Sequence, residues 1–290
     1  MPSMTPDQAP DPRHSERSQG AALADAFVAA EHRRRRRAAL NHAARNGLGL
    51  VIFLAVWEAI PRLAPTLNVL MFPPPSMVVE TALPMILSGE LAENIAMSLS
   101  RAGAGFLLAA ILGIAAGLLT ARIRLLNELS EPVLHGFRSV PVIALVPISV
   151  LWFGIGEPAK IALVAIGGFF PIWISTFIGV RDVHPTYLRS AACLGATTYR
   201  TMLLVVLPAA LPFILAGLRQ AIAVSFIVLV AAELSGATSG VAYMMSRGHQ
   251  LFRVDIMFIG LFTLGALGFI ADRLFVLTAR RLFPWYETAR

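Results

Sequence analysis

The sequence predicts an all-α membrane protein with about six transmembrane helices. Of the 290 residues, 57% are hydrophobic and only 14% are charged, whereas a soluble domain is about half apolar and about a quarter charged. The mean hydropathy of +0.70 indicates the same class. Because about 20 helical residues cross the hydrocarbon core of a bilayer, long apolar runs are candidate spans. They lie at 47–64, 95–120, 132–153, 159–180, 209–233 and 256–279.

The first 46 residues have a different composition. Proline, serine and charged residues are frequent in residues 1–20, and such a composition predicts disorder. The run "HRRRRR" at 32–37 is suited either to binding anionic lipid at the inner leaflet or to anchoring the first span. The sequence therefore divides into a cytoplasmic tail, 1–46, and a transmembrane domain, 47–286.

The basic residues predict the orientation of the spans. With a cytoplasmic N-terminus and six spans, sixteen of the 24 Lys and Arg residues fall on the cytoplasmic side and four fall outside. An excess of basic residues in cytoplasmic loops is the usual pattern of membrane proteins. Both termini are therefore expected in the cytoplasm, and the net charge of +7 needs no nucleic-acid partner to explain it.

The segment between the first two spans, 71–94, opens with "MFPPPS". Its prolines cannot continue a helix, and Ser76 after them is suited to cap a short one. By the predicted orientation, this helix lies along the membrane on the extracytoplasmic side. It either packs against the spans or offers a surface to a partner protein.

Prolines also interrupt the third run, where Pro141 and Pro147 lie inside a proposed span. Such breaks are tolerated where neighbouring helices or water satisfy the freed backbone groups, so this helix either faces a cavity or is an irregularity of packing. Arg138 in this run and Arg219 in the fifth run lie deeper than the other charged residues. We therefore consider Arg138, Pro141 and Arg219 as candidates for an anion path, with arginine hydrogen bonds to backbone as the alternative.

A polar segment, 182–208, separates the fourth and fifth runs on the predicted cytoplasmic side. Asp182 or His184 can cap a helix, and Pro185 suits its first turn. Gly195 stands where a glycine usually follows the end of a helix. A short helix is therefore expected at about 185–194.

One face of this short helix is predicted to be apolar, since Tyr187, Ala191 and Leu194 recur at helical spacing. A second short helix is expected to follow until Pro208 turns the chain into the fifth span. The result is a surface helix without a partner in its own chain. It either rests on the membrane as an amphipathic loop or docks into another protein.

The residue types that catalysis requires are missing or scattered. Lys160 is the only lysine, and it lies in "GEPAKIA" rather than in a phosphate-binding loop. The six histidines show no metal-ligand spacing, and Cys193 is the only cysteine. The sequence therefore predicts no catalytic residue, no metal and no cofactor in this chain.

The stretch "RSAACLGATTYRTMLLVVLPAALP", 189–212, resembles the EAA loop of permease subunits of ATP-binding-cassette (ABC) importers. That motif reads Glu-Ala-Ala, three residues, Gly, nine residues, Ile, one residue, Leu-Pro. The corresponding residues here are Arg189, Ser190, Ala191, Gly195, Val205, Leu207 and Pro208. The glycine, the Leu-Pro pair and the spacing match, while Arg and Ser replace Glu and Ala. The segments "MFPPPSMVVE", "RSVPVIALVPISVLWFGIGEPAK" and "VAAELSGATSGVAYMM" are similar to the taurine, aliphatic-sulfonate and nitrate branch of the family.

This resemblance implies a type I ABC importer permease fold across about 47–286, in a bacterial inner membrane. A second copy of the chain would complete a homodimer, a dimer of cytoplasmic ABC ATPases would bind and hydrolyse ATP, and a periplasmic or lipid-anchored binding protein would deliver substrate. Membrane lipid would surround the spans. The residues that would couple to the ATPase are Tyr187, Arg189, Ser190, Ala191, Leu194, Gly195, Leu207 and Pro208.

The branch of the family implies a small anion as substrate, with taurine or another organosulfonate ahead of nitrate or a different organic acid. A secondary transporter working alone is a rival class, which needs an intramembrane ion site and often inverted repeats. An assembly factor that conducts nothing is another. The sequence shows neither a paired intramembrane carboxylate nor a repeat.

Overall fold

The computed structural model describes residue 34, residues 48–49 and 51–63, and residues 71–286. The chain divides into two compact units, Met1–Thr66 and Leu67–Arg290. In the first unit, residues 51–63 form helix α1, which covers most of the first predicted span. The predicted tail, 1–46, with its basic run lies outside the described residues except for Arg34.

The second unit is built from helices throughout the residues that the structure describes. They are α2 (Pro75–Leu87), α3 (Glu90–Arg122), α4 (Arg124–Arg138), α5 (Val146–Phe153), α6 (Glu157–Arg181), α7 (Pro185–Cys193), α8 (Thr198–Leu234), α9 (Val241–Gln250) and α10 (Val254–Leu282). Short 3₁₀ turns occupy Val142–Leu145 and Pro284–Tyr286. The predicted all-α class is confirmed for this part of the chain.

Four of these helices, α3, α6, α8 and α10, are long and apolar enough to cross a membrane. They correspond to the second, fourth, fifth and sixth predicted runs, whose helical character is confirmed. A fifth span exists if α4 and the segment Val142–Phe153 are counted together, although the two are bent by 90°. The remaining predicted span is the region of α1, of which only part is described.

The third predicted run, 132–153, is broken at Pro141, as its prolines indicated, but not at Pro147. α4 ends at Arg138, and Pro141 adopts an extended conformation with φ −60° and ψ 122°. Proline lacks an N–H donor and disfavours helical geometry in the preceding residue, so the helix stops and restarts after it. Pro147, by contrast, lies in the first turn of α5, where proline is tolerated. The segment is a broken span or a re-entrant loop.

The core of the second unit consists of α6 packed between α3 and α8, and glycines permit the close approach. A Cβ atom added to Gly105 of α3 would lie 2.6 Å from the side chain of Val164 in α6. One added to Gly217 of α8 would lie 2.7 Å from Ser175 on α6. Small residues at such contacts are the usual means of packing helices in lipid, where apolar burial drives little association. These three helices therefore connect the end of the unit that carries α7 to the opposite end.

The surface helix predicted before the second span is α2, and one of its faces packs on the rest of the unit. It begins at Pro75 after Pro74, which provides no side-chain cap. The expectation that Ser76 caps this helix was wrong, because the helix already begins at Pro75 and Ser76 lies inside its first turn. The apolar cluster under α2 comprises Val78, Met85, Val241, Met244 and Ile259.

Candidate functional site

The polar segment after α6 forms the predicted short helix, α7. His184 is its N-cap, and the His184 Nδ1 atom accepts a hydrogen bond from the backbone N–H of Thr186 at 3.3 Å. Pro185 occupies the first helical position. Of the two predicted caps, His184 therefore has this role, while Asp182 is the residue that ends α6.

The end of α7 is a Schellman motif built on Gly195. The Gly195 N–H donates to the Ala192 carbonyl at 3.0 Å, and the Ala196 N–H donates to the Ala191 carbonyl at 3.0 Å. Gly195 has φ +72°, and no atom lies within 4 Å of the position that its Cβ would occupy. Backbone conformation alone therefore favours glycine here, and the predicted role of Gly195 as a helix end is confirmed.

One face of α7 packs against its own chain, contrary to the expectation of a helix without a partner. Ala191 is 6% exposed, whereas Tyr187 is 60% and Leu194 is 86% exposed. The three residues therefore do not form one exposed stripe. Leu188 packs on an apolar cluster formed by Val180, Val183, Val206, Ala210 and Ile214. Arg189 and Ser190 are exposed beside Tyr187.

The expected turn at Pro208 is absent, because α8 runs from Thr198 through Pro208 into the bilayer-spanning part. Thr197 caps this helix, accepting a hydrogen bond at its Oγ1 from the Arg200 N–H at 3.4 Å. The segment Met202–Val206 is π-helical, and the Leu207 N–H donates to the Met202 carbonyl. A regular turn would press the Pro208 ring against the carbonyl four residues earlier. The wider π turn directly before it relieves that contact.

Two of the predicted coupling residues, Tyr187 and Pro208, are brought together in one groove of about 460 Å³. Leu207, the neighbour of Pro208, instead packs against the cluster under α7. The other walls of the groove are Leu204, Val205, Ala209, Leu211, Pro212 and Trp285. The groove is apolar and lies between α7 and the beginning of α8.

The three candidates for an anion path are not equivalent. Arg138 is the last residue of α4 and is exposed, and Pro141 precedes the 3₁₀ turn, so both flank the 90° break. Arg219 instead forms a bidentate ion pair with Asp272 of α10, at 2.6 and 2.9 Å. The positive charge of Arg219 is therefore balanced.

A buried charge cluster lies at the end of α6 opposite to α7, and the sequence did not predict that its residues meet. Arg101 of α3 is 1% exposed and donates five hydrogen bonds. Two reach Glu157 at 2.5 and 2.8 Å, and one reaches Glu233 at 2.8 Å. The others go to the carbonyl and hydroxyl of Ser239 at 2.6 and 3.1 Å. Lys160 completes an electroneutral set by donating to Glu157 at 3.1 Å.

The same cluster fixes the start of α9. Glu233 accepts a hydrogen bond from the Ala242 N–H at 3.0 Å and one from the Ser98 hydroxyl at 2.8 Å. A side chain at Gly240 (φ +116°) would collide with the Glu233 carboxylate. Charged residues within apolar helices are the sequence signal for this arrangement. Charged side chains near the ends of a span can also extend to the membrane surface, so such residues alone do not predict a cluster.

A cavity of about 260 Å³ opens at this end of the molecule, between α2, α3, α9 and α10. Arg247 lines it together with Tyr243, and Arg247 has no ion-pair or hydrogen-bond partner among the described residues. Arg253, also at the cavity, is held by Asp255 at 2.6 Å. This hydrogen bond raises the pKa of Arg253 above its ordinary value. The cavity therefore presents one unpaired guanidinium.

Residues 109–284 match the family described as binding-protein-dependent transport system inner membrane component. The chain is 36% identical over 234 residues to the putative aliphatic sulfonates transport permease protein of Bacillus subtilis (strain 168), covering 81% of this chain and 84% of that relative. It is 32% identical over 242 residues to the taurine transport system permease protein of Escherichia coli (strain K12), covering 82% and 88%.

Solved structures share the fold. An amino acid ABC transporter aligns with a TM-score of 0.57 and 17% identity, covering 69% of this chain and 97% of that one. The inward-facing methionine ABC transporter MetNI aligns with a TM-score of 0.55 and 19% identity, covering 70% and 98%. The predicted type I importer permease fold is thus confirmed. With matched residues covering more than half of its length, the chain belongs to the family of binding-protein-dependent transport system inner membrane components, as a multi-pass ABC permease subunit.

Proposed function

We propose that this permease imports a small organic anion, and that the anion is an organosulfonate such as taurine. The similarity to permeases named for aliphatic sulfonates and for taurine supports this substrate class. A relative in Synechococcus elongatus, 36% identical over 178 residues, is named for bicarbonate transport, which supports a small anion more broadly. Nitrate and other organic acids are the competing substrates.

The coupling proposal rests on the exposed position of α7 and on its short connection to α8. Gly195 ends α7, and α8 begins at Thr198 and continues to Leu234. A force applied to α7 therefore passes along one helix to the opposite end, where Glu233 lies. We assign the contact with the ATPase to Tyr187, Arg189, Ser190, Leu194 and Pro208, the bend to Gly195, and the anchoring of α7 in its own chain to Ala191 and Leu207.

ATP binding and hydrolysis are assigned to separate cytoplasmic ATPase subunits, so this chain acts as a transporter subunit and not as an enzyme. Its only lysine, Lys160, pairs with Glu157 at the end of α6 opposite to α7. It is therefore not placed to hold a phosphate beside the coupling helix. In this proposal two copies of the chain form a homodimer in a bacterial inner membrane, with both termini cytoplasmic. A periplasmic or lipid-anchored binding protein meets the opposite face.

The anion path is assigned to the break between α4 and α5. Arg138 supplies a positive charge at this break, and Pro141 keeps the backbone from closing it with helical hydrogen bonds. Arg219 contributes less charge to an anion, because Asp272 neutralises it. Arg247 lies in the cavity at the end of the molecule opposite to α7, and in this proposal it is the first guanidinium that an entering anion contacts.

Uptake in proteoliposomes tests the proposal. The chain is reconstituted with an ABC ATPase and a binding protein from the same genome, and labelled taurine, other sulfonates and nitrate are supplied in turn. We expect ATP-dependent taurine uptake that unlabelled sulfonates inhibit and that disappears without the ATPase. Concentrative uptake by the chain alone would contradict the importer assignment. Nitrate uptake that taurine does not inhibit would contradict the proposed substrate but not the importer assignment.

A further inference from the structure

A cleft of about 160 Å³ lies where α3 and α6 end, on the side of the molecule that carries α7. Three arginines from three helix ends converge on it: Arg122, Arg124 and Arg181. Thr120, Asn127 and Phe177 form other parts of its wall. None of these residues belongs to the coupling surface or to the proposed anion path.

The charges in this cleft are not balanced. Arg124 forms an ion pair with Glu128 at 2.7 Å, but Arg122 and Arg181 form none within residues 71–286. The Arg181 guanidinium lies 5.3 Å from the centre of the Phe177 ring, a cation–π contact that orients it while leaving its N–H groups available. The cleft therefore keeps two unneutralised positive charges.

The polar groups in the wall are already satisfied by the protein. The Thr120 hydroxyl donates to the Ala116 carbonyl at 2.7 Å and accepts from the Trp173 indole N–H at 3.1 Å. The Asn127 amide donates to Glu131 at 3.0 Å. The donors left over are guanidinium N–H groups, whose geometry matches the paired oxygens of a phosphate or a carboxylate.

We propose that this cleft binds the phosphate group of an anionic phospholipid. Arg122 and Arg181 are the last residues of two spans, so the cleft lies at the depth of the lipid headgroups. Ala121 and the Phe177 ring add apolar surface beside the charges, which suits the glycerol and upper acyl region of a lipid. Basic pockets between transmembrane helices on the cytoplasmic side commonly bind anionic headgroups.

Lipid binding to the purified full-length chain tests this site. The delipidated protein in detergent is titrated with phosphatidylglycerol, and bound lipid is counted by native mass spectrometry, with phosphatidylcholine as the neutral comparison. We expect Arg122→Gln and Arg181→Gln each to weaken phosphatidylglycerol binding about fivefold. Arg200→Gln is the matched control, since it removes one charge from an exposed residue on the same side outside the cleft. It should bind as the unmodified chain does.

Further measurements separate the remaining outcomes. Arg122→Lys and Arg181→Lys keep the charge but lose the paired N–H groups, so they should bind more phosphatidylglycerol than the Gln variants and less than the unmodified chain. Melting temperatures equal to that of the unmodified chain show that loss in the Gln variants is not misfolding. Inorganic phosphate and glycerol phosphate at the lipid concentration should not displace the lipid, and full displacement would assign the cleft to a soluble phosphate instead. Equal binding of both lipids, or unchanged binding in both Gln variants, would overturn the proposal. Because neither transport nor an ATPase is involved, this result is independent of the importer assignment.

Discussion

Arg101 of α3 donates a hydrogen bond to Glu233 of α8 at 2.8 Å, and each residue is only 1% exposed. The two are 132 positions apart in the sequence, so their pairing depends on the packing of α3, α6 and α8. A buried ion pair adds little net stability, but the removal of one partner leaves a charge without compensation. The packing of three helices and the position of α9 therefore depend on one guanidinium, that of Arg101.

Replacement of Arg101 should reveal this dependence. Arg101→Met leaves both Glu233 and Glu157 without their main partner, and we expect a loss of about 3–5 kcal/mol in the free energy of unfolding. The matched change Arg219→Met breaks the more exposed pair with Asp272 and should cost less than Arg101→Met. Thermal unfolding of both variants in detergent gives the comparison. Equal stability of the two variants would show that the buried cluster contributes no more to the free energy of unfolding than the Arg219–Asp272 pair.

The glycines of α3 allow a test of the helix packing. Gly105→Ala adds a Cβ that would lie 2.6 Å from Val164, whereas a Cβ at Gly103 meets nothing within 4 Å. We expect Gly105→Ala to destabilise the protein by about 1–3 kcal/mol, because the closely packed helices must separate. Gly103→Ala should be neutral or slightly stabilising, since alanine favours helix. Similar melting temperatures for the two variants would argue against close α3–α6 packing.

Local signals in the sequence were sufficient for some features and not for others. The two caps of α7 were predictable because each is formed by groups close together in the sequence. His184 bonds to Thr186 at one end, and Gly195 bonds to Ala192 at the other. The packing of Leu188 was not predictable, since it depends on the cluster around Val206 and Ala210 in α8. Pro208 was assigned to a turn because a π segment that accommodates a proline has no signature in residue type.

The charge cluster illustrates the same limit on a larger scale. Arg101 lies 56 positions from Glu157 and 132 from Glu233. Side chains near the end of a span can also reach the membrane surface, so each charge had a plausible separate explanation. Only the joint packing of α3, α6 and α8 shows that the charges neutralise one another.

The backbone at Gly195 predicts a graded series of variants. Its φ of +72° is unfavourable for residues with a Cβ, but the surrounding space is open. Gly195→Asn should therefore be tolerated, Gly195→Ala should cost about 1–2 kcal/mol locally, and Gly195→Val should cost more. Because the strain is confined to the α7–α8 connection, we expect ATP-dependent uptake to fall in that order at unchanged membrane levels. Equal uptake by the Asn and Val variants would exclude a role for this backbone conformation.

The break in the span predicts a specific effect of Arg138 on transport. Arg138→Gln removes the charge at the break, and we expect uptake of the anion to fall about tenfold, as for a lost charged hydrogen bond to the anion. Arg138→Lys should restore part of the activity, because it keeps the charge. In the double variant Arg219→Gln/Asp272→Asn the local charge stays balanced, and uptake should change less. If this double variant loses more activity than Arg138→Gln, the path lies along α8 and α10 instead.

The contrast between Leu194 and Ala191 separates docking from folding. Leu194 is 86% exposed on the coupling helix, so Leu194→Glu places its charge in water and should leave the chain stable. In the complex the same charge would be desolvated against the ATPase, and we expect association and uptake to fall together. Ala191 is 6% exposed, so Ala191→Glu buries an unpaired carboxylate in the chain itself and should reduce its stability.

Three measurements distinguish these effects: the amount of chain in the membrane, its melting temperature, and pull-down of the ATPase. Leu194→Glu should change only the last, whereas Ala191→Glu should lower the first two. Leu194→Ala is the control for side-chain size, and it should bind the ATPase better than Leu194→Glu. If Leu194→Glu keeps full association and full uptake, α7 is a passive surface loop. The force that drives transport must then enter the permease elsewhere.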